Sequence, residues 1–107
     1  MNCIGVNYKK VPLEVRERYA FSTEEQQAFH QRLRNAAGIS GSVIVSTCNR
    51  SELYFCGTAD DAEQICTVER ELAAEKQIAE SEMLGQIYVY SGDAALRHLF
   101  HVTCGLD

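Results

Sequence analysis

The sequence predicts an α+β fold, because strand patterns and helix patterns alternate along its 107 residues. Residues 3–8 alternate apolar side chains with small or polar ones, and two more strand patterns, 42–48 and 51–57, follow each other with no helix between them. The complete order is strand, helix, strand, strand, helix, strand and one further helix. This order closes most simply as a four-stranded antiparallel sheet with two helices on one face, the ferredoxin-like split β-α-β-β-α-β arrangement with an additional C-terminal helix.

The first half of the chain begins with one strand and then turns helical. Residues 3–8 read CIGVNY and form the opening strand. Pro12 is compatible with the first turn of a short helix, because its missing N–H group would be unpaired there anyway. Ser22 and Glu25 form a capping box, which predicts that a longer helix begins at this point, and Gly38 suits its end.

Two strand patterns occupy the middle of the chain. Residues 42–48 contain the apolar run VIV, which is typical of a strand covered on both faces. In residues 51–57 the alternation places Leu53 and Phe55 on the face opposite to Glu52. The sequence therefore predicts that the first of these strands is fully buried and that the second has two different faces.

The remaining elements follow in the acidic second half. A helix begins at Thr58 or Asp60, and its charged residues are predicted to form a solvated face. A fourth strand covers residues 86–90, and a last helix runs from Ala94. One domain is expected, since a chain of this length rarely supports two hydrophobic cores.

Charge and hydropathy exclude several classes of protein. The net charge is −5, with +3 on residues 1–50 and −8 on residues 51–107. This balance argues against a free-standing nucleic-acid-binding domain, which needs clustered Lys and Arg to neutralise phosphates. Neither a signal peptide nor a membrane-spanning run is visible in the sequence, so a cytoplasmic protein without a membrane partner is expected.

The five cysteines do not indicate a disulfide scaffold or a metal site. Their number is odd, no two form a CxxC pair, and no histidines lie at zinc-ligand spacing. Four of them lie inside apolar patterns and are predicted to be small buried side chains: Cys3, Cys56, Cys66 and Cys104.

Cys48 differs, because it follows an apolar strand within the polar segment STCNR. A neighbouring cation such as Arg50 favours the reactive thiolate, and Thr47 and Asn49 supply groups that can orient a substrate. His98 on the last helix is a second candidate, since imidazole transfers protons near neutral pH. From these residues alone, Cys48 can equally be another buried strand cysteine beside a solvated Arg50, and His98 a surface or interdomain residue.

Three segments together resemble the glutamyl-tRNA reductase family. They read GVNYKKVPLEVRERYAF (5–21), VSTCNRSELY (45–54) and SGDAALRHLFHVTCGLD (91–107), and they occur in the family's order and approximate spacing. Two family-typical residues differ: Tyr8 stands where His is common, and Val11 where Ala is common. Both changes are expected to alter loop packing only.

The resemblance implies a specific chemistry. Cys48 would be the nucleophile that attacks the ester carbonyl of glutamyl-tRNA, and NADPH would reduce the resulting thioester to glutamate-1-semialdehyde, a precursor of 5-aminolevulinate and tetrapyrroles. Arg50 would hold the substrate carboxylate, Thr47 and Asn49 match the family's substrate-contact motif, and His98 matches its functional histidine.

The resemblance also implies that residues 1–107 are a single N-terminal catalytic domain of a longer protein. The NADPH-binding domain and the C-terminal domain that forms a homodimer would lie outside it, and the sequence contains no GxGxxG turn. The alternative is a non-catalytic ferredoxin-like module that binds a ligand, or that binds RNA through Tyr8, Tyr54 and Phe55 on the sheet.

Overall fold

The computed structural model describes residues 1–106, and its central feature is a four-stranded antiparallel sheet. The strands are β1 (Asn2–Asn7), β2 (Gly41–Ser46), β3 (Arg50–Cys56) and β4 (Tyr88–Ser91), in the spatial order β2-β3-β1-β4. All three neighbouring pairs are antiparallel. The predicted fold class is confirmed, because this strand order is that of the ferredoxin-like arrangement.

Within residues 1–106, five helices connect or follow the strands. They are α1 (Leu13–Glu17), α2 (Thr23–Arg34), α3 (Asp61–Lys76), α4 (Glu80–Leu84) and α5 (Asp93–Thr103). The capping box is formed as predicted: Glu25 N–H donates to Ser22 Oγ at 3.2 Å, and Ser22 N–H donates to Glu25 Oε1 at 2.9 Å. The short helix α4 was not predicted. Among residues 1–106, no helix has the length and apolar character needed to cross a membrane.

The main hydrophobic core lies between one face of the sheet and helices α2 and α3. Leu53 and Phe55 point into this core from β3, as the alternation predicted. They pack with buried side chains of the other elements: Ile4, Val6, Phe29, Leu33, Ile44, Val68 and Leu72. Because these side chains come from both helices and three strands, the core fixes the positions of β2 and β3, the two strands that the loop after β2 joins.

Helix α5 covers part of the opposite face of the sheet. It contacts β4, and its buried residues are Ala95 and His98. A second, smaller cluster forms there around Cys3, Tyr54 and Ala95. The side chains that α5 leaves on its outer surface include Leu96, which is 49% exposed, and Phe100, which is 61% exposed.

Two expectations about burial are wrong. Strand β2 ends at Ser46 and is an edge strand, and Val43 is 59% exposed because α5 lies over the β4 side of the sheet and leaves β2 uncovered there. Of the four cysteines predicted to be buried, Cys3 is buried, but Cys56, Cys66 and Cys104 are exposed. Cys56 is the last residue of β3 and Cys104 caps the C-terminus of α5, whereas Cys66 lies within α3 on a side of the helix that faces solvent.

Candidate active site

A polar loop, residues 47–49, joins β2 to β3 and carries Cys48 at its centre. The backbone N–H of Thr47 donates to the carbonyl of Arg50 at 2.7 Å, and the N–H of Asn49 donates to Thr47 Oγ1 at 3.2 Å. Cys48 is exposed, and its Sγ lies 3.9 Å from Asn49 Oδ1. The loop is a hydrogen-bonded turn that presents a free thiol to solvent.

Two neighbouring segments hold this turn in place. The backbone N–H of Tyr8, just after β1, donates to the carbonyl of Asn49 at 2.9 Å. Arg16 of α1 donates from Nε to the carbonyl of Cys48 at 3.2 Å and from Nη1 to the carbonyl of Val11 at 2.9 Å. One arginine therefore ties the thiol-bearing backbone to the segment that follows β1.

An open cleft of about 360 Å³ lies beside Cys48. Its volume falls within the range of small-ligand pockets. Helix α1, the residues after it and the end of β2 line it together with the thiol loop: Leu13, Arg16, Glu17, Ala20, Phe21, Ser46, Thr47 and Cys48. Cys48 therefore lines an open cleft between the thiol loop and α1.

Arg50 begins β3 and is buried on the face of the sheet that α5 covers. Its side chain is 8% exposed, and Nη1 lies 3.4 Å from Glu52 Oε2. It is thus not the solvated loop residue that one reading of the sequence allowed. The guanidinium is held by the strand and by a buried carboxylate.

Glu52 is the centre of a buried polar cluster that consists of Arg50, Glu52, Tyr54, Tyr88 and His98, here called the Glu52 cluster. The carboxylate is fully buried. Its Oε1 accepts a hydrogen bond from the hydroxyl of Tyr54 at 2.8 Å, and its Oε2 accepts one from the hydroxyl of Tyr88. His98 Nε2 also bonds to Oε2. Because an ionised carboxylate only accepts hydrogen bonds, this geometry calls for a proton on Nε2.

Gly5 makes room for this carboxylate. Gly5 pairs with Glu52 across β1 and β3, and a Cβ atom at Gly5 would lie 2.7 Å from Glu52 Cγ. Any larger residue would therefore displace the Glu52 side chain. The cluster depends on a glycine opposite a glutamate in the sheet register.

Burial in and beside the cluster keeps the hydroxyl groups of Tyr54 and Tyr88 and the thiol of the neighbouring Cys3 protonated. Burial raises the pKa of Tyr88, and the hydrogen bond to Glu52 raises it further. Burial likewise raises the pKa of Tyr54, with the nearby Cys3 and Glu52 adding to the effect. Burial also raises the pKa of the Cys3 thiol. These groups act as hydrogen-bond donors rather than as nucleophiles or bases at neutral pH.

Comparison with known proteins identifies the family. The profile described as "Glutamyl-tRNAGlu reductase, N-terminal domain" matches residues 4–107. The chain belongs to this family. It is 40% identical over 104 residues to the glutamyl-tRNA reductase of Pseudoalteromonas translucida, covering 97% of this chain and 24% of that protein. It is 38% identical over 104 residues to the enzyme of Marinobacter nauticus, with the same two coverages of 97% and 24%.

A solved structure agrees with this assignment. The glutamyl-tRNA reductase from Methanopyrus kandleri matches with a TM-score of 0.66 and 27% sequence identity, over 98% of this chain and 22% of that chain. The chain thus spans about a quarter of the length of the relatives that it matches. The family resemblance seen in the sequence is confirmed.

The structure brings only some of the predicted site residues together. Thr47, Cys48 and Asn49 share the thiol loop, whereas Arg50 and His98 meet at Glu52 on the α5 side of the sheet. His98 lines a separate cleft of about 450 Å³ with Asn7, Lys9, Lys10, Tyr88 and Tyr90. Within the reductase family domain, the thiol loop and the Glu52 cluster are therefore two neighbouring parts joined through Arg50.

Sequence reasoning missed three residues of this site. Glu52 carried a signal, since an acidic residue in the interior of a strand, on the face of Arg50 and Tyr54, indicates a buried charge with partners. Tyr88 and Arg16 carried none, because their contacts depend on how β4 and α1 pack. In the described part of the chain, no group of three or more His, Cys, Asp or Glu side chains is placed to hold a metal ion.

Proposed function

We propose that this chain is the catalytic domain of a glutamyl-tRNA reductase and that Cys48 is the nucleophile that forms the glutamyl thioester. The observation that carries the proposal is an exposed thiol on a turn whose backbone is held by Arg16 and by Tyr8, within the STCNR segment of a family named for this enzyme. A fixed backbone beside an open cleft keeps Sγ in one place while a substrate approaches.

The proposed step is an acyl transfer. The Cys48 thiol loses its proton, Sγ attacks the ester carbonyl of glutamyl-tRNA, and the tetrahedral intermediate collapses with cleavage of the bond to the ribose oxygen. That oxygen takes up a proton and the RNA leaves with a free 3′ end. The backbone N–H groups of Thr47 and Asn49 hold the turn together, and their hydroxyl and amide side chains lie in the same turn, where they can orient the carbonyl.

The Glu52 cluster supports the recognition of the glutamyl group in this proposal. Arg50 holds the carboxylate of the substrate through its planar donors, and Glu52 fixes the orientation of the guanidinium. His98 bonds to Glu52 and lines a different cleft from Cys48, which favours a role in shaping the pocket over direct proton exchange with Sγ.

NADPH does not fit the residues described. The sequence has no GxGxxG turn, and the turn from β4 into α5 places Asp93 in the first helical turn, where a carboxylate repels a phosphate. NADPH binding by another domain, homodimer formation through a C-terminal domain and a cytoplasmic location stay predictions for the longer protein, as does the assignment of residues 1–107 to a single N-terminal domain.

One observation weakens the alternative of an RNA-binding sheet. Of the three aromatic residues that this alternative uses, Tyr54 is 3% exposed and Phe55 is 2% exposed, so neither ring can stack on a base. A non-catalytic module that binds another ligand remains the competing function.

The test is to map the acyl group. The chain is incubated with glutamyl-tRNA, quenched in acid, digested and analysed by peptide mass spectrometry beside Cys48→Ser and the matched control Cys66→Ser, which removes another exposed thiol. We expect one glutamyl adduct on the Cys48 peptide of the unsubstituted chain and of Cys66→Ser, and none in Cys48→Ser. An adduct elsewhere, or none while the RNA still binds, contradicts the proposal.

A further inference from the structure

The turn after β1 is a rigid, partly exposed surface that consists of Tyr8, Lys9 and Lys10, here called the tyrosine–lysine turn. Asn7 fixes it, because its Oδ1 accepts from the backbone N–H groups of Lys9 and Lys10, each at 3.1 Å. The Asn7 carbonyl also accepts from the N–H groups of Lys10 and Val11 at 3.1 Å. The backbone of the turn is therefore set before any ligand arrives.

This turn lies directly beside the thiol loop. Tyr8 N–H donates to the carbonyl of Asn49, so the two backbones are in contact one residue away from Cys48. Arg16 joins them a second time through the carbonyls of Val11 and Cys48. Adjacent antiparallel backbones have Cα atoms about 5 Å apart, which places Tyr8 within roughly 10 Å of Cys48.

All three residues of the turn are exposed. Tyr8 is 47% exposed, whereas Tyr19 and Tyr54 are buried. Lys9 Nζ lies 5.8 Å from the centre of the Tyr8 ring, and both lysines line the 450 Å³ cleft that His98 also lines. The turn thus presents two cations and an accessible aromatic ring on a protein whose net charge is −5.

The geometry points to the tyrosine–lysine turn as the binding surface for the 3′-terminal nucleotides of an aminoacylated RNA, an inference that rests on the proposed function. An aminoacyl ester joins the reacting carbonyl to the ribose of the last nucleotide. An RNA that brings this carbonyl to Cys48 must therefore place its terminal base and phosphate about one nucleotide length from the thiol. Tyr8 stacks on the terminal base, and Lys9 and Lys10 neutralise phosphates.

The first test measures binding without acylation. The probe is a non-acylated RNA stem-loop that ends in single-stranded CCA, titrated at several salt concentrations into the chain, into Lys9→Gln/Lys10→Gln and into the control Arg70→Gln/Arg97→Gln. We expect the Lys9/Lys10 variant to bind roughly tenfold more weakly, with a salt dependence shallower by about 1.4 in log K against log salt, since each single-strand phosphate contact contributes about 0.7. We expect the control variant to lose less than twofold.

Tyr8 variants separate stacking from charge. Tyr8→Leu is expected to weaken the same complex roughly tenfold with an unchanged salt slope, and Tyr8→Phe to bind like the unsubstituted chain. The inference is overturned if the stem-loop does not bind, if the two lysine substitutions change affinity no more than the control, or if Tyr8→Leu and Tyr8→Phe behave alike.

The second test separates this inference from the proposed function. Acylation of Cys48 is measured with glutamyl-tRNA and with a small donor that contains no RNA, the α-benzyl thioester of glutamate. The Lys9/Lys10 variant should react more slowly with glutamyl-tRNA and normally with the small donor, and equal losses with both donors would overturn the inference. Failure of both donors to acylate Cys48 in the unsubstituted chain counts against the thioester proposal, while the stem-loop titration still decides the role of the turn.

Discussion

Replacing Glu52 by Gln tests whether the Glu52 cluster holds the domain together. The amide keeps the size of the side chain but removes its charge, and it turns one acceptor oxygen into a donor that faces the hydroxyl groups of Tyr54 or Tyr88, or the imidazole of His98. Arg50, whose side chain is 8% exposed, loses its ion pair with Glu52. Removing one partner of a buried pair costs about 3–5 kcal/mol, a large part of the 5–15 kcal/mol that stabilises a typical domain.

The assay is urea unfolding followed by circular dichroism. With an m-value of about 2 kcal/mol/M, the expected loss lowers the urea midpoint by about 1.5–2.5 M. Glu75→Gln is the matched control, because its pair with Arg32 is partly exposed and should contribute less than about 1 kcal/mol. A midpoint for Glu52→Gln no lower than that of Glu75→Gln would refute the reasoning.

Two further predictions concern stability. Burial raises the pKa of Tyr88 in the folded chain above its ordinary value of 10.0, which the unfolded chain keeps. Above pH 10 the Tyr88 hydroxyl therefore ionises first in the unfolded chain, and the free energy of unfolding that Tyr88 contributes is lost as pH rises toward the raised pKa. Urea midpoints between pH 9 and 11 should therefore fall less steeply in Tyr88→Phe than in the unsubstituted chain, and parallel curves would contradict this. A Cβ at Gly57 would lie 1.7 Å from the carbonyl oxygen of Gly38, whereas one at Gly85 would lie 3.6 Å from its nearest neighbour. Gly57→Ala should therefore lower the thermal midpoint by several degrees and Gly85→Ala by little, and equal shifts would show that the contact at Gly57 relaxes at no cost.

Local patterns in the sequence were sufficient for the order of the strands and of every helix except α4, and for the side of β3 that enters the main core. The capping box at Ser22 predicted the start of α2, because both of its hydrogen bonds form between residues three apart. The alternation in β3 predicted which face Leu53 and Phe55 occupy. Such features need no knowledge of distant parts of the chain.

The remaining features depend on tertiary packing. Val43 is exposed because α5 packs on the same face of the sheet but over the β4 edge, and β2 is the opposite edge strand. The spacing of residues within β2 carries no information about where α5 packs. The Glu52 cluster requires the register that places Gly5 opposite Glu52 and the approach of β4 and α5. For the site, the segment STCNR located the thiol loop. It did not reveal that the Arg50 side chain lies on the face of the sheet that α5 covers, beside Glu52.

A single-turnover experiment with excess protein tests the central claim most directly. The release of free tRNA from glutamyl-tRNA and the appearance of acid-stable glutamyl label on Cys48 are followed in the same reaction. Acyl transfer to the thiol predicts equal first-order rates for both and one glutamyl group on Cys48 for each tRNA released. Release of tRNA with free glutamate from the first time point, and no label on Cys48, would contradict the account and show that the domain only binds its ligand or hydrolyses it with water.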